Sequence, residues 1–229
     1  MSVMVRKSES NEEFAARIER EVTEDRTQMD AAILAVVREF AALENDMATI
    51  LQELLEGSWT YAAPLIYFAP ASTEIRVAIV DATFKNVRWP SDLRDRAFHQ
   101  WKQFLNRLSH TRKSRNKVIH GEVVNTTNGN GHGTRQRLTP ATGDLSRFVP
   151  MLRSGKPLGM SAHDVQSIAD TIKRHRADAL DFRDLLRFTR LGEIESSLKT
   201  LEQLEARHPK AGAQSDAPSS PTHSTQPQS

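Results

Sequence analysis

The segment PSDLRDRAFHQWKQFLNRLSHTRKSRNKVIHG, residues 90–121, decides how this chain folds. Pro90 and Ser91 are typical of a helix start, and Gly121 is typical of a helix end. Between them, apolar residues recur at the spacing that places side chains on one face of a helix. The segment therefore predicts one long helix with a single buried stripe. That stripe contains Trp101, Phe104, Leu105, Leu108 and Ile119.

Two arginines, Arg112 and Arg115, fall on the same predicted stripe near the end of this helix. A charged group removed from water costs several kcal/mol unless it is paired, so each arginine needs a carboxylate, a ligand or an interface. A structural ion pair and a functional site both meet that need. Glu44 is the one polar residue within the apolar stripe of an earlier helix. We therefore predict that the Glu44 carboxylate contacts Arg112 or Arg115.

The remaining segments also predict mainly helices. Residues 11–24 predict a short polar helix, and residues 25–56 predict a separate, long amphipathic helix. The apolar residues of segment 73–87 fit both strand alternation and helical spacing, so its residues alone leave both open. Ser161 is followed three residues later by an aspartate, which predicts a capped helix start. A leucine stripe at residues 194–204 favours docking on the same domain over pairing with another chain.

A different pattern follows the long helix. Residues 122–140 contain two short strand-like runs on either side of an Asn- and Gly-rich tip, which predicts a β-hairpin. Arg135 and Arg137 on the second run would either contact a phosphate backbone or lie on a solvated strand face. The hairpin is expected to lie beside the end of the long helix.

Length and composition indicate one helical domain with tails. The chain has 229 residues, of which 38% are hydrophobic, enough for one sizeable core. We expect a polar, partly helical N-terminal segment at residues 1–25 and the domain itself at residues 26–208. Residues 209–229 are rich in Ser, Pro, Gln and Thr and predict a disordered tail.

Several classes of protein are disfavoured by the sequence. The chain has no cysteine, which excludes disulfides, thiolate metal sites and cysteine nucleophiles. It has no Gly-rich phosphate loop, zinc-protease motif or nucleophile elbow, so we expect neither a metal nor a cofactor. No signal peptide or membrane-spanning apolar run is visible, and a cytoplasmic protein without membrane contact is expected.

The charges are unevenly distributed along the chain. Residues 1–60 contain 6 Lys or Arg and 13 Asp or Glu, whereas residues 61–120 contain 11 and 4. A basic middle region suits a phosphate-bearing partner. The acidic first region would alternatively neutralise it within the fold.

The run Arg115-Asn116-Lys117-Val118-Ile119-His120, followed by Gly121, matches a family motif. It resembles the arginine, polar residue, three residues, histidine pattern of HEPN domains, which lies in the last turns of a long helix. Residues 40–44, 72–76 and 158–162 also look like one bacterial branch of that family, and the resemblance covers about residues 26–190. It implies an all-α fold, an antiparallel helical bundle with a small β-hairpin insertion after the motif helix, and it favours helix at residues 73–87.

The resemblance also implies a function, a metal-independent endoribonuclease that acts as a homodimer. His120 would be the general acid or base, Arg115 would bind the phosphate, and Asn116 would orient the imidazole or the phosphate. Glu44 and Arg112 would support these residues. A bacterial toxin or phage-defence effector is the implied setting, with an antitoxin or a nucleotidyltransferase as a partner. The alternative is a HEPN-type module that binds RNA, a nucleotide or a protein without cleavage. The candidate RNA-binding residues are Lys113, Lys117, Arg135 and Arg137.

Overall fold

The computed structural model describes residues 10–55, 62–127, 134–140 and 159–208, without the side chains of Thr127, Thr134 and Arg135. The described residues are mainly helical, and a two-stranded antiparallel hairpin follows the motif helix, as the sequence predicted. The helices are α1 (Asn11–Leu54), α2 (Ala62–Phe68), α3 (Thr73–Lys85), α4 (Ser91–Ile119), α5 (Ala162–Leu191) and α6 (Ile194–Arg207). The strands are β1 (Gly121–Thr127) and β2 (Thr134–Pro140). The predicted tail at residues 209–229 lies outside the described residues.

Helix α1 is one continuous helix, and the predicted break between residues 24 and 25 is wrong. Its start is fixed by a capping box, in which Ser10 Oγ accepts from the Glu13 backbone N–H and the Ser10 N–H donates to Glu13 Oε2. No Gly or Pro interrupts the chain between this cap and the amphipathic part, so the helix propagates through both. The polar first turns are largely exposed, and the buried face begins at Met29.

The core is built where α1, α4 and α5 pack together, and an aromatic cluster lies within it. The Phe84 and Trp101 rings stack with centroids 4.4 Å apart, and Phe182 of α5 meets Trp101 edge-on at 5.1 Å. Trp101 also donates its indole N–H to Asp81 Oδ1 at 3.0 Å, which joins α4 to α3. Burying each such ring contributes about 2 to 3 kcal/mol. Among the described helices, none combines the length and apolar character needed to span a membrane.

Helix α5 begins after a capping serine and ends at a glycine, two residue types that favour helix boundaries. Ser161 and Asp164 form the predicted capping box, with the Asp164 N–H donating to Ser161 Oγ at 3.2 Å. Gly192 ends the helix in the left-handed region at φ 75°, and the next N–H returns to the Phe188 carbonyl oxygen at 2.9 Å. This turn folds α6 back, and its leucine stripe packs into the core of the same domain, since Leu201 and Leu204 are buried.

The hairpin is fixed to the rest of the domain through Leu138. In the register, Val123 lies opposite Leu138, and Leu138 also exchanges two backbone hydrogen bonds of 2.9 Å with Met160, just before α5. The Leu138 side chain is buried among the core residues. The hairpin starts directly at the last turn of α4 and packs against α1.

The segment at residues 73–87, which the residues alone left open between strand and helix, forms helix α3.

Candidate functional site

The last turns of α4 carry Arg112, Arg115 and Asn116, and His120 is the C-cap residue. The backbone N–H of His120 donates to the Asn116 carbonyl oxygen at 3.0 Å, so the helix geometry continues to the histidine. Asn116 and His120 are exposed, whereas Arg112 and Arg115 are partly buried. The motif therefore presents an amide and an imidazole to solvent at the edge of the core.

Arg115 occupies a core-facing position, as predicted. It follows the buried Thr111 by four residues and precedes the buried Val118 by three, so it continues the stripe of α4. Its guanidinium lies 5.2 Å from the centre of the Phe40 ring on α1, and Nη1 donates to Asn116 Oδ1 at 3.1 Å. Nε is buried and has no hydrogen-bond partner within the described residues. No carboxylate in the described part of the chain forms an ion pair with Arg115.

The predicted contact between Glu44 and either arginine is wrong. Glu44 Oε1 instead accepts from Arg76 Nη1 at 2.9 Å and from Thr73 Oγ1 at 3.2 Å, both at the start of α3. The partners of the Glu44 carboxylate are therefore supplied by the first turn of α3 and not by α4. Arg112 forms an ion pair with Glu74, which also lies at the start of α3, and the distance from Arg112 Nη2 to Glu74 Oε1 is 2.9 Å. Glu44, expected to be buried, is partly buried, with 18% of its side chain exposed.

The ion pair between Glu74 and Arg112 lies at the surface, since 62% of the Glu74 side chain is exposed, while the Arg112 side chain is 22% exposed. Ser72 Oγ donates to Glu74 Oε2 at 2.7 Å. That hydrogen bond is the largest influence that lowers the pKa of Glu74, and the Arg112 guanidinium adds to it. Arg112 is therefore already neutralised at the protein surface, in contrast to Arg115.

The side chain of Asn116 contacts Arg115 and makes no hydrogen bond to the His120 imidazole, both of which are described residues. Ile119, predicted to be buried, has 37% of its surface exposed, because the stripe passes to Val118 as the helix ends. Val123 on the first strand is 40% exposed. The imidazole is therefore flanked along the chain by two exposed apolar residues.

The basic residues around the motif differ in their surroundings. Lys113 and Lys117 are exposed on α4. Arg137 is partly buried on β2, opposite Val124, and its charge helps to lower the pKa of Asp164 at the start of α5 after the larger effect of Ser161. The side chain of Arg135 lies outside those that the structure describes. Among the candidate RNA-binding residues whose side chains are described, the two lysines are the exposed ones.

Gly121 joins the motif helix to the hairpin at close quarters. A Cβ added there would lie 2.9 Å from the Leu138 side chain and 2.9 Å from the backbone carbonyl oxygen of Lys117. A backbone oxygen cannot rotate away, so this position fits only a residue without a side chain. The close approach fixes β1 directly beneath the last turn of α4, next to His120.

Sequence reasoning missed two polar centres. Tyr67 is buried with its hydroxyl unpartnered among the described residues, and burial, followed by the nearby Glu44 carboxylate, raises its pKa. Asp178 on α5 is buried and accepts from Arg107, Arg207 and His208. An aspartate at a core-facing step of α5 was the available signal for the second centre. Within the described residues, no group of three metal-binding side chains comes together.

No family model, curated protein or solved structure matches this chain. The candidate site therefore stands on its own geometry.

Proposed function

We propose that the protein is a metal-independent endoribonuclease of HEPN type that acts as a homodimer. One observation supports this above the others: Arg115 has a guanidinium on a core stripe that no described carboxylate neutralises. The exposed Asn116 and His120 adjoin it on the same helix end. A positive charge beside an imidazole is the pair of groups that RNA cleavage through the 2′-hydroxyl requires.

Arg115 is suited to hold the scissile phosphate. Its Cζ atom lies 5.2 Å from the centre of the Phe40 ring, and this cation–π contact holds the guanidinium without cancelling its charge. One N–H group of Arg115 Nη1 donates to Asn116 Oδ1, and other N–H groups of the planar guanidinium would donate to two phosphate oxygens. In the transition state, where negative charge accumulates on those oxygens, this contact strengthens.

His120 supplies the proton transfer in this proposal. Its imidazole removes the proton from the 2′-hydroxyl, the 2′-oxygen attacks phosphorus, and the bond from phosphorus to the 5′-oxygen breaks. The leaving 5′-oxygen takes a proton from the imidazolium form of His120 in the other protomer, which becomes a neutral imidazole. The products are a 2′,3′-cyclic phosphate and a free 5′-hydroxyl, and the step needs no metal or cofactor.

A second copy of the chain is the proposed occupant of the surface around His120. Ile119 and Val123, on either side of it, are 37% and 40% exposed, and apolar surface next to a motif suits an isologous contact. Sedimentation velocity of Ile119→Glu should show loss of the dimer. Leu191→Glu is the matched control, since Leu191 is also exposed but lies at the far end of α5. A parent protein that stays monomeric at tens of micromolar would remove this part of the proposal.

The deciding experiment is cleavage of cellular RNA by purified protein in excess chelator. His120→Ala should slow cleavage by about 10² to 10⁴ with RNA affinity nearly unchanged, because general acid–base catalysis acts on the barrier. Arg115→Ala should reduce both cleavage and affinity. His110→Ala is the control, because His110 is an exposed histidine on the same helix. Substrate lacking the 2′-hydroxyl at the cut site should resist cleavage.

Two outcomes would redirect the proposal. If His120→Ala cleaves as fast as the parent, a contaminating nuclease explains the activity. If the parent binds RNA without cutting it, the function is that of a HEPN-type binding module, for which the Arg115–Phe40 contact serves equally well as a rigid phosphate grip. For a cleaving protein, we propose a toxin or phage-defence role, with an antitoxin or a nucleotidyltransferase as its partner and RNA as its target.

A further inference from the structure

Arg112 and Arg115 lie three residues apart on α4, so their side chains start from neighbouring turns of the same face of the helix. At this spacing their Cβ atoms are about 5 to 6 Å apart. Successive phosphates along one nucleic-acid strand have a comparable separation. Two cations at this spacing therefore suit two neighbouring phosphates of the same strand.

A closed chain of contacts places both arginines at one junction of the fold. Arg115 lies over the ring of Phe40 on α1. At the next turn of α1, a carboxylate accepts a hydrogen bond of 3.2 Å from Thr73, the first residue of α3. Glu74 follows Thr73 and forms the ion pair with Arg112, which leads back to α4. Both arginines therefore border the junction of α1, α3 and α4.

Glu74 occupies Arg112 as a phosphate would. Its Oε1 atom lies 2.9 Å from Arg112 Nη2, and its Oε2 atom accepts from Ser72 Oγ at 2.7 Å. Because 62% of the Glu74 side chain is exposed, water solvates the carboxylate once it leaves Arg112. An ion pair at the surface contributes little to stability, so a phosphate can replace this carboxylate at small cost.

We propose that Arg112 is a second phosphate subsite, which binds the phosphate next to the one on Arg115, and that Glu74 occupies this subsite in the free protein. The inference rests on the proposed function, because it needs a phosphate on Arg115. It deepens that function by defining the substrate as a strand with at least two consecutive phosphodiesters. It also makes Glu74 an internal competitor, since its carboxylate must leave before a strand contacts both arginines.

The test compares the binding of two short RNAs whose 2′-hydroxyls are methylated, so that neither can be cleaved through the 2′-oxygen. UpU has one phosphodiester, and UpUpU has two. Chemical-shift titration of the ¹⁵N-labelled full chain measures both affinities. Glu74→Gln keeps an acceptor for Ser72 and removes the charge, so it should tighten UpUpU binding about threefold to fivefold, as expected when a surface ion pair no longer competes. UpU binding should change by less than about 1.5-fold.

The Arg112→Gln background separates competition from a general change of charge. In that background, Glu74→Gln should change UpUpU binding by less than about 1.5-fold, because only the screened attraction at longer range remains. Arg112→Gln should weaken UpUpU binding about threefold in the parent and about tenfold in the Glu74→Gln background. Asp92→Asn, which removes an exposed carboxylate from the first turn of α4, is the control and should have no effect.

Three results would overturn the inference. If Glu74→Gln tightens UpUpU binding equally with and without Arg112, the change of charge alone explains the gain. If UpUpU binds equally to the parent, Glu74→Gln and Arg112→Gln, the second phosphate lies elsewhere. Binding of UpUpU to neither the parent nor Glu74→Gln would exclude the subsite as well.

Cleavage of cellular RNA is measured separately and tells the two proposals apart. If cleavage depends on His120 while Glu74→Gln and Arg112→Gln bind UpUpU like the parent, the proposed function stands and the second subsite does not. If the expected binding pattern is found in a protein that does not cleave RNA, the subsite stands and the ribonuclease does not.

Discussion

Asp178 provides the sharpest stability prediction, because one buried carboxylate joins three helices. Its side chain on α5 is 1% exposed. It accepts from Arg107 of α4 at 3.1 Å, from Arg207 near the end of α6 at 2.9 Å and from His208 at 2.9 Å. The C-terminal end of the described domain is thus held to its core through a single acceptor group.

The magnitude follows from what Asp178→Ala leaves behind. Removing one partner of a buried ion pair destabilises a protein by about 3 to 5 kcal/mol. Arg207 keeps Asp181 as a partner and its side chain is 37% exposed, while that of Arg107 is 23% exposed, so water relieves part of the loss. We therefore expect the lower end, about 3 kcal/mol. For a chain of this size that corresponds to a fall of about 6 to 12 °C in Tm.

Urea denaturation of the parent and Asp178→Ala, followed by circular dichroism, measures the difference directly. Asp170→Ala is the control, because Asp170 is on the same helix, is exposed and contacts Gln166 at 3.1 Å. It should change the free energy of unfolding by less than about 0.5 kcal/mol. A loss below about 1 kcal/mol for Asp178→Ala would refute the reasoning, since Arg107, Arg207 and His208 would then be satisfied by solvent.

Three further predictions test the other described contacts by urea denaturation. Glu44→Ala should destabilise the fold by about 2 kcal/mol, and a double-mutant cycle should couple Glu44 to Arg76 and leave Arg112 uncoupled, the reverse of the sequence expectation. Gly121→Ala should destabilise it by about 1 to 3 kcal/mol, because the new Cβ meets a backbone oxygen at 2.9 Å. Burial lowers the pKa of His175 from 6.5 to about 4, so the unfolded chain binds this proton first as pH falls. Stability should therefore drop by about 2 kcal/mol between pH 6.5 and 4, and His175→Gln should flatten that part of the profile.

The elements that could be predicted from the sequence are those with local signals. Ser161 with Asp164 fixes the start of α5, and the two predicted strand-like runs pair as a hairpin. Each signal acts within a few residues, where the chain itself determines the geometry. The break predicted at residue 24 was wrong, because a change from polar to amphipathic character does not by itself interrupt the backbone hydrogen bonds of a helix.

Partner choice across the fold could not be predicted in the same way. The stripe arithmetic placed Glu44 and Arg115 on core-facing stripes, and both are partly buried. It could not decide which of several cations would reach the carboxylate, because that depends on how α3 packs between α1 and α4. Arg76 is 32 residues from Glu44 in the chain, and nothing in its local sequence distinguishes it from Arg112. The same limit hid the contacts of Asp178.

The two arginines of the motif helix show why the site is asymmetric. Both guanidinium groups are partly buried, and a different contact compensates each for its lost hydration. Arg112 forms an ion pair with the Glu74 carboxylate, and Arg115 lies over the Phe40 ring. An ion pair compensates by cancelling the charge, whereas a cation–π contact contributes about 0.5 to 2 kcal/mol and leaves the charge in place. An anion approaching the end of α4 therefore gains the full attraction of Arg115 without displacing a carboxylate, but must compete with Glu74 for Arg112. Of the two positions, Arg115 is therefore the one where an anion does not compete with a described carboxylate.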